Sequence, residues 1–174
     1  MKRFLLLLCL PLLLLTACKN LRSSHEEVLK IEQIQYPMPQ GGEVVYEGHG
    51  KESWFAYSAI TGVGDTHANG VVEAHRFEDG RYLHTIQINI LPPKDGYFYE
   101  GWIKKGADVI STGHLVNHFG DARHALRFEA DKDYTSYLDV LVTLEKDDGN
   151  TAPGKVVAKG TMKVTVRPKP SQKK

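Results

Sequence analysis

The sequence predicts an all-β fold of about eight antiparallel strands, arranged as a sandwich or a barrel. The first observation is the alternation of apolar and polar residues over several short segments, which is typical of strands with one buried and one wetter face. The second is the presence of turn-forming residues between these segments. The third is the composition, because 41% hydrophobic and 25% charged residues are ordinary for a folded domain and exclude a disordered or multispanning chain.

Three segments show the alternation most clearly, and in each the apolar side chains fall on one face. These side chains are Ile86, Ile88 and Ile90; Leu138, Val140, Val142 and Leu144; and Leu126, Phe128 and Ala130. Further β-rich runs cover residues 54–60, 71–77, 97–104, 109–116 and 155–166. Turn signals rich in Gly, Pro, Asp and Asn separate the runs, and together the runs give the count of about eight strands.

Residues 1–17 have the pattern of an export signal. Lys2 and Arg3 supply positive charge, and an apolar run follows from Phe4 to Leu15, interrupted by Pro11. The run has about a dozen residues, whereas a helix that spans a bilayer needs about 20. We therefore predict a lipoprotein signal peptide and no permanent transmembrane helix.

The signal ends in the string Leu-Thr-Ala-Cys at residues 15–18, which resembles the lipobox of bacterial lipoproteins. The resemblance implies cleavage before Cys18 and lipidation of its thiol. Two or more acyl chains give lasting membrane attachment where one gives only marginal binding. The predicted location is the cell membrane, lipid-anchored on its extracytoplasmic face. Because Cys9 lies in the removed segment, no cysteine is left for a disulfide, a reactive thiolate or a Cys-based zinc site.

Behind the signal we predict a lipid-anchored spacer over residues 18–42, the β domain over residues 43–166 and a basic, disordered tail over residues 167–174. In the spacer, Ser24 and Glu27 have the spacing of a helix capping box, although an edge strand is an equally good interpretation. The tail has two prolines and four cations in its eight residues, a composition typical of disorder.

Two stretches of the β domain carry a recognisable residue pattern. The first consists of Leu91, Pro92, Pro93, Gly96, Tyr97, Tyr99 and Trp102, and the second of residues 142–145 (Val-Thr-Leu-Glu), Gly149, Asn150, Pro153 and Gly160. Both stretches resemble the extracytoplasmic C-terminal domain of anti-sigma-K factors. Between them, Gly113 and Leu115 flank His114 where the family has a glycine followed by an apolar residue. The resemblance implies an antiparallel, Ig-like β-sandwich, which is the fold that we predict.

The sequence also departs from this family. Lys146 replaces the expected proline. Family members that regulate a sigma factor carry a cytoplasmic sigma-binding region and a transmembrane helix, and we expect neither here. The resemblance therefore implies a sensory or binding domain that does not bind a sigma factor directly.

Eight histidines make a metal site the main alternative prediction. His118 and His124 flank the turn at residues 120–121, and with His114 they form the best candidate for Cu or Zn. However, the chain has no His-x-His pair and no HExxH motif, and in a strand His114 and His118 would lie about 13 Å apart. Histidines on exposed strand faces and loops are the simpler interpretation, so we predict no metal and no cofactor.

The sequence has none of the common catalytic motifs. It lacks a GxSxG nucleophile elbow, a dinucleotide-binding glycine pattern and a P-loop, so we predict that the protein is not an enzyme. Its 22 basic and 21 acidic residues give a formal charge of +1, which excludes nucleic-acid binding driven by bulk charge.

Together these observations predict a lipid-anchored, extracytoplasmic binding or sensing module without catalytic activity. Its expected partners are the membrane, through Cys18, and an envelope protein or a glycan. The alternative is an envelope Cu or Zn protein that uses clustered histidines.

Overall fold

The computed structural model describes residues 45–46 and 48–166. Every regular element in these ranges is a β-strand and every pairing is antiparallel, so the prediction of an all-β, antiparallel fold is confirmed. This part of the chain holds no helix that is long and apolar enough to cross a membrane. The predictions for the signal peptide, for Cys18 and the spacer, and for the tail of residues 167–174 lie outside the described residues.

The described residues form ten strands. In chain order they are β1 (Val45–Tyr46), β2 (Gly50–Gly62), β3 (Ala68–Phe77), β4 (Tyr82–Ile90), β5 (Tyr97–Lys105), β6 (Asp108–His114), β7 (Arg123–Ala130), β8 (Asp139–Lys146), β9 (Lys155–Thr161) and β10 (Lys163–Val164). The eight long strands, β2 to β9, coincide with the segments that the sequence predicts. β1 and β10 have two residues each, which is too short for alternation to indicate them.

All ten strands belong to one sheet in the order β6-β5-β8-β9-β2-β3-β4-β7, with β1 and β10 paired to β2. β2 joins the two halves, because it pairs with β3 along most of its length and with β9 at Thr61 and Gly62. On the opposite side the sheet nearly closes through a bridge between Val116 and Ala125. The result is a nearly closed, barrel-like sheet. The Ig-like sandwich is not confirmed, since the hydrogen bonds of β2 make the two halves continuous.

One face of each long strand fills the interior of this sheet. The apolar faces predicted for β4 and β8 point inward, where the buried side chains include Ile86, Ile88, Ile90, Val140 and Val142. On β5, a side chain at Gly101 would place its Cβ 2.7 Å from Thr112 Oγ1 and 2.9 Å from Leu126 Cδ1. Glycine at this position therefore allows the inner side chains of β6 and β7 to approach β5 closely.

The outer face of β2 and β3 carries a second, smaller layer of rings. Phe55, His75 and Phe77 are buried on this face, and the rings of His75 and Phe77 are stacked with centroids 6.1 Å apart. His75 Nδ1 lies 2.6 Å from Glu52 Oε1. The ring of Tyr46 packs on Phe77 at a centroid distance of 5.4 Å, so β1 lies over the outer face of the sheet.

His84 of β4 lies in the interior with no exposed surface. Its cross-strand neighbours are Ala74 of β3 and Phe128 of β7. Neither ring nitrogen makes a hydrogen bond of standard geometry within the described residues, although the backbone of Glu73 lies near enough to oppose the effect of burial on the pKa of the ring. Burial lowers the pKa of His84 to about 4, so the ring is neutral at pH 7 and its protonation opposes folding.

We expect acid to destabilise the fold through His84. The unfolded chain protonates this histidine near its ordinary pKa of 6.5, whereas the folded chain does so only near pH 4. The contribution of the neutral His84 ring to the free energy of unfolding is therefore complete above about pH 6.5. It falls by about 3 kcal/mol as the pH drops to about 4. Urea unfolding of the unmodified chain and of His84→Leu over this pH range tests the expectation, because the substitution should make stability depend less on pH. Equal pH slopes in the two proteins would contradict the expectation.

Candidate functional site

The candidate site lies where the sheet does not close, between β6 and β7. Val116 N–H donates to Ala125 O at 2.7 Å, and Ala125 N–H donates to Val116 O at 2.9 Å. Beyond this bridge, the described strands show no pairing between β6 and β7. The seam is our name for this unpaired stretch, bordered by the edge of β7 at Arg127 and Glu129.

The backbone of β7 presents hydrogen-bonding groups to the seam. Backbone groups along a strand point alternately to its two sides, so Arg127 and Glu129 point the same way as Ala125. Leu126 and Phe128 point toward β4, with which β7 pairs along its whole length. Each of the two seam residues therefore offers an N–H and a C=O that have no backbone partner among the described residues.

A groove of about 590 Å³ lies beside the bridge, on the outer face of β4 and β7. Its lining includes basic, imidazole and apolar side chains, among them His114, Val116, His118, Phe119, Arg123 and Arg127, and no described carboxylate. Val116 is 48% exposed and Phe119 is 69% exposed. This combination suits a ligand with both polar and apolar groups.

Asn117 shapes the loop that connects β6 to β7. Its Oδ1 accepts hydrogen bonds from the backbone N–H groups of Phe119 at 3.2 Å and Gly120 at 2.8 Å. Its Nδ2 donates to the carbonyl of Asp121 and lies 3.4 Å from His124 Nε2. The sequence analysis did not single out Asn117. An asparagine just before a glycine turn could have indicated it, because such a side chain commonly hydrogen-bonds the backbone two residues further on.

Two arginines are held in place at the groove by neighbouring carboxylates. Arg123 Nε donates to Asp121 Oδ2 at 2.8 Å, and its guanidinium lies 4.2 Å from the ring centre of Phe119. The hydrogen bonds from Arg123 hold the pKa of Asp121 below its ordinary value. Arg127 Nε donates to Glu129 Oε1 at 2.7 Å. The two arginine side chains keep 43% and 47% of their surface exposed, and the Arg127 guanidinium also lies 5.0 Å from the ring centre of Tyr46.

The structure brings the three predicted histidines to one groove. His114 is exposed and its ring packs on Phe98 at a centroid distance of 4.0 Å, and His118 is also exposed. His124 is buried, and its Nδ1 lies 3.1 Å from the carbonyl oxygen of Ala122. Burial lowers the pKa of His124, so the ring is neutral and Nδ1–H donates to that carbonyl.

The metal alternative from the sequence concerns His114, His118 and His124. In the part of the chain that the structure describes, no three His, Cys, Asp or Glu side chains are placed to hold an ion together. Binding of Cu or Zn by His114, His118 and His124 therefore stays a prediction from the sequence.

Comparisons of the chain with protein-family models, with curated proteins and with solved structures found no match. The resemblance to anti-sigma-K factor domains stays a prediction, and the groove and the seam are the basis for a functional proposal.

We expect Asn117→Ala to loosen the β6–β7 loop without unfolding the sheet. The amides of Phe119 and Gly120 lose their acceptor, so their hydrogen exchange should become at least about tenfold faster. Stability should fall by about 1 kcal/mol. Asn117→Asp is the matched control, because a carboxylate keeps an acceptor for both amides. If the two variants exchange equally fast at these amides, the role assigned to the side chain is wrong.

Proposed function

We propose that this chain is a lipid-anchored, extracytoplasmic binding or sensing module without catalytic activity. Cys18 would tether it to the cell membrane, and the groove beside the seam would bind an envelope protein or a glycan. The role resembles that of the extracytoplasmic domain of anti-sigma factors, without direct binding of a sigma factor. Nucleic acid is not proposed as a partner, since the formal charge is +1.

The observation that carries this proposal is the groove beside an unpaired sheet edge. Proteins usually shorten, cover or pair the edges of their sheets, because an open edge invites another strand. Here the seam stays unpaired in the described residues. Next to it, a groove is lined by the exposed ring of Phe119 and by Arg123 and Arg127, which are paired with the carboxylates of Asp121 and Glu129. Arginine and aromatic side chains together are typical of recognition surfaces.

The surroundings of His124 support binding rather than catalysis. Its ring lies between the carbonyl of Ala122 and the side chain of Asn117, so both nitrogens have neighbours other than a ligand. A general base needs a nitrogen within hydrogen-bond reach of the substrate. The described lining also contains no serine or cysteine that could act as a nucleophile.

The predicted Ig-like sandwich belongs to the same proposal. Its two layers would be β6-β5-β8-β9 and β3-β4-β7, and β2 would pass from one layer to the other. In that description the Val116–Ala125 bridge joins the two layers at one end of the seam.

We expect Cys18→Ser to abolish lipidation, because the thiol is the proposed attachment point. Metabolic labelling with an alkyne-tagged fatty acid, followed by gel analysis, measures it. The unmodified sequence and Cys9→Ser should both incorporate the label, since residue 9 lies in the segment predicted to be removed. Label retained by Cys18→Ser would contradict the proposed anchor.

We expect a photo-reactive amino acid at position 118 to cross-link a discrete partner in living cells. His118 is exposed and lines the groove, whereas Asp148 is exposed in the turn between β8 and β9 and serves as the control position. The product should be absent at position 148 and weaker in the presence of Arg127→Gln. Identical products at both positions, or none at position 118, would argue against the groove as the binding site.

We expect no stoichiometric metal binding, because no three ligating side chains converge in the described ranges. Calorimetric titration of Cu²⁺ and Zn²⁺ into the chain measures it. Tight binding at one ion per chain that is lost in His118→Ala would instead establish the alternative function, an envelope Cu or Zn protein.

A further inference from the structure

We infer that residues 33–44, the stretch of chain that leads into β1, dock as an extended segment on the outer face of β2, β3 and β4. We call this stretch the tether segment, because in the sequence it lies between the proposed anchor at Cys18 and the β domain. The inference concerns a surface other than the groove, so it goes beyond the proposed function.

The outer face of these three strands carries large side chains that are buried. They are Phe55, Val71, His75, Phe77 and Leu83, and each exposes at most 8% of its surface. They point away from the interior, since none of them belongs to the core that fills the sheet. The second face of an antiparallel sheet is commonly wetted by solvent. Burial of these side chains therefore requires a cover.

Among the described residues, rings pack on this face from above at one end of it. The rings of Tyr46 and His49 lie against Phe77, at centroid distances of 5.4 Å and 5.9 Å. Val71 is six residues along β3 from Phe77, which is about 20 Å at the rise of an extended strand. Neither ring can extend that far, so another part of the chain covers Val71.

The cover over Val71 is narrow and belongs to this chain. The burial is that of the single chain, so no partner contributes to it. Ala59 and Gln87, which flank Val71 on β2 and β4, are both exposed. Neighbouring strands are about 4.8 Å apart, so one extended chain can bury Val71 and leave both neighbours in solvent. The surface of a partner protein or of a second copy would bury all three.

The tether segment leads directly onto this face. The ring of Tyr46 contacts Phe77 of β3 on one side, and the guanidinium of Arg127 of β7 lies 5.0 Å from its centre on the other. These contacts place Tyr46 above β4, which lies between β3 and β7. The twelve residues before it can extend over about 40 Å, which is twice the distance from Phe77 to Val71.

The sequence of the tether segment is suited to an apolar face. Ile34, Tyr36 and Met38 occupy alternate positions, so an extended chain presents all three on one side. Residues 33–42 carry no charged side chain, whereas residues 19–32 carry six. Pro37 and Pro39 cannot donate to a sheet ladder, but packing across a face does not need their N–H groups. The tail of residues 167–174 has four cations and no large apolar side chain, so it is a poor cover for this face.

The first test is photo-cross-linking within the full chain, purified in detergent micelles. Benzoylphenylalanine replaces Tyr36, and Gln35 is the matched control position, because adjacent residues of an extended chain point to opposite sides. Mass spectrometry identifies the cross-linked peptides after irradiation. We expect an intrachain cross-link from position 36 to residues 69–77 or 82–90, at least about fivefold more abundant than from position 35.

Two matched pairs of variants then measure the effect of docking on urea unfolding. Ile34→Glu and Tyr36→Glu place a carboxylate against the apolar face, while Gln33→Glu and Gln35→Glu place the same charge on the side that faces solvent. The first two should raise the equilibrium constant of unfolding at least about tenfold, and the other two less than about twofold.

Three results would overturn the inference. Equal cross-linking from positions 35 and 36, or equal unfolding constants within each pair of variants, would exclude docking of the tether segment. A product of dimer size from position 36 would assign the face to a second copy of this chain. A tenfold rise in the unfolding constant on deletion of residues 167–174, with none for Tyr36→Glu, would assign it to the tail.

Discussion

The backbone hydrogen bonds of β2 connect the two halves of the sheet, and the rest of the structure depends on this connection. β2 pairs with β3 from Glu52 to Thr61 and with β9 at Thr61 and Gly62. Without the second pairing, the strands on either side would form separate layers with open edges. With it, the sheet curves around one interior and brings β6 and β7 near each other on the far side. The seam is the stretch in which this closure by hydrogen bonds is incomplete.

Side chains of β6 and β7 pack together inside the sheet, although the only pairing on this side among the described residues is the Val116–Ala125 bridge. Thr112 of β6 and Leu126 of β7 both approach the position that a side chain of Gly101 would occupy. The interior can therefore stay apolar and closely packed, while the backbone groups of Arg127 and Glu129 that point away from β4 have no backbone partner in the described ranges.

Local alternation is enough to predict the strands but not the way in which they pair. The parity of Ile86, Ile88 and Ile90 indicates the inner face of β4, and the structure confirms it. His84 lies two residues before Ile86 and therefore on the same face of β4. The same alternation thus indicates that it is buried, although a polar residue is more often expected on the outer face. The pairing of Thr61 with Lys159 joins residues far apart in the chain, and periodicity carries no information about such contacts.

In the candidate site, too, the sequence indicates individual residues but not how the fold brings them together. The histidines, the arginines and the turn around residue 120 are visible in the sequence, but the seam exists only because of the strand order. Asn117 lies in a recognisable turn, yet its contact with His124 depends on how the loop folds back on β7. The three histidines of the alternative metal prediction line the same groove as these arginines, and the sequence alone does not indicate that they share it.

The most direct test of this account is amide hydrogen exchange along β7 in the full chain without a ligand. The account predicts an alternating pattern in which Leu126 and Phe128, paired with β4, exchange at least about tenfold more slowly than Arg127 and Glu129, which face the seam. Slow exchange at all four amides would mean that the edge of β7 is already paired, and the seam would not exist as a binding site.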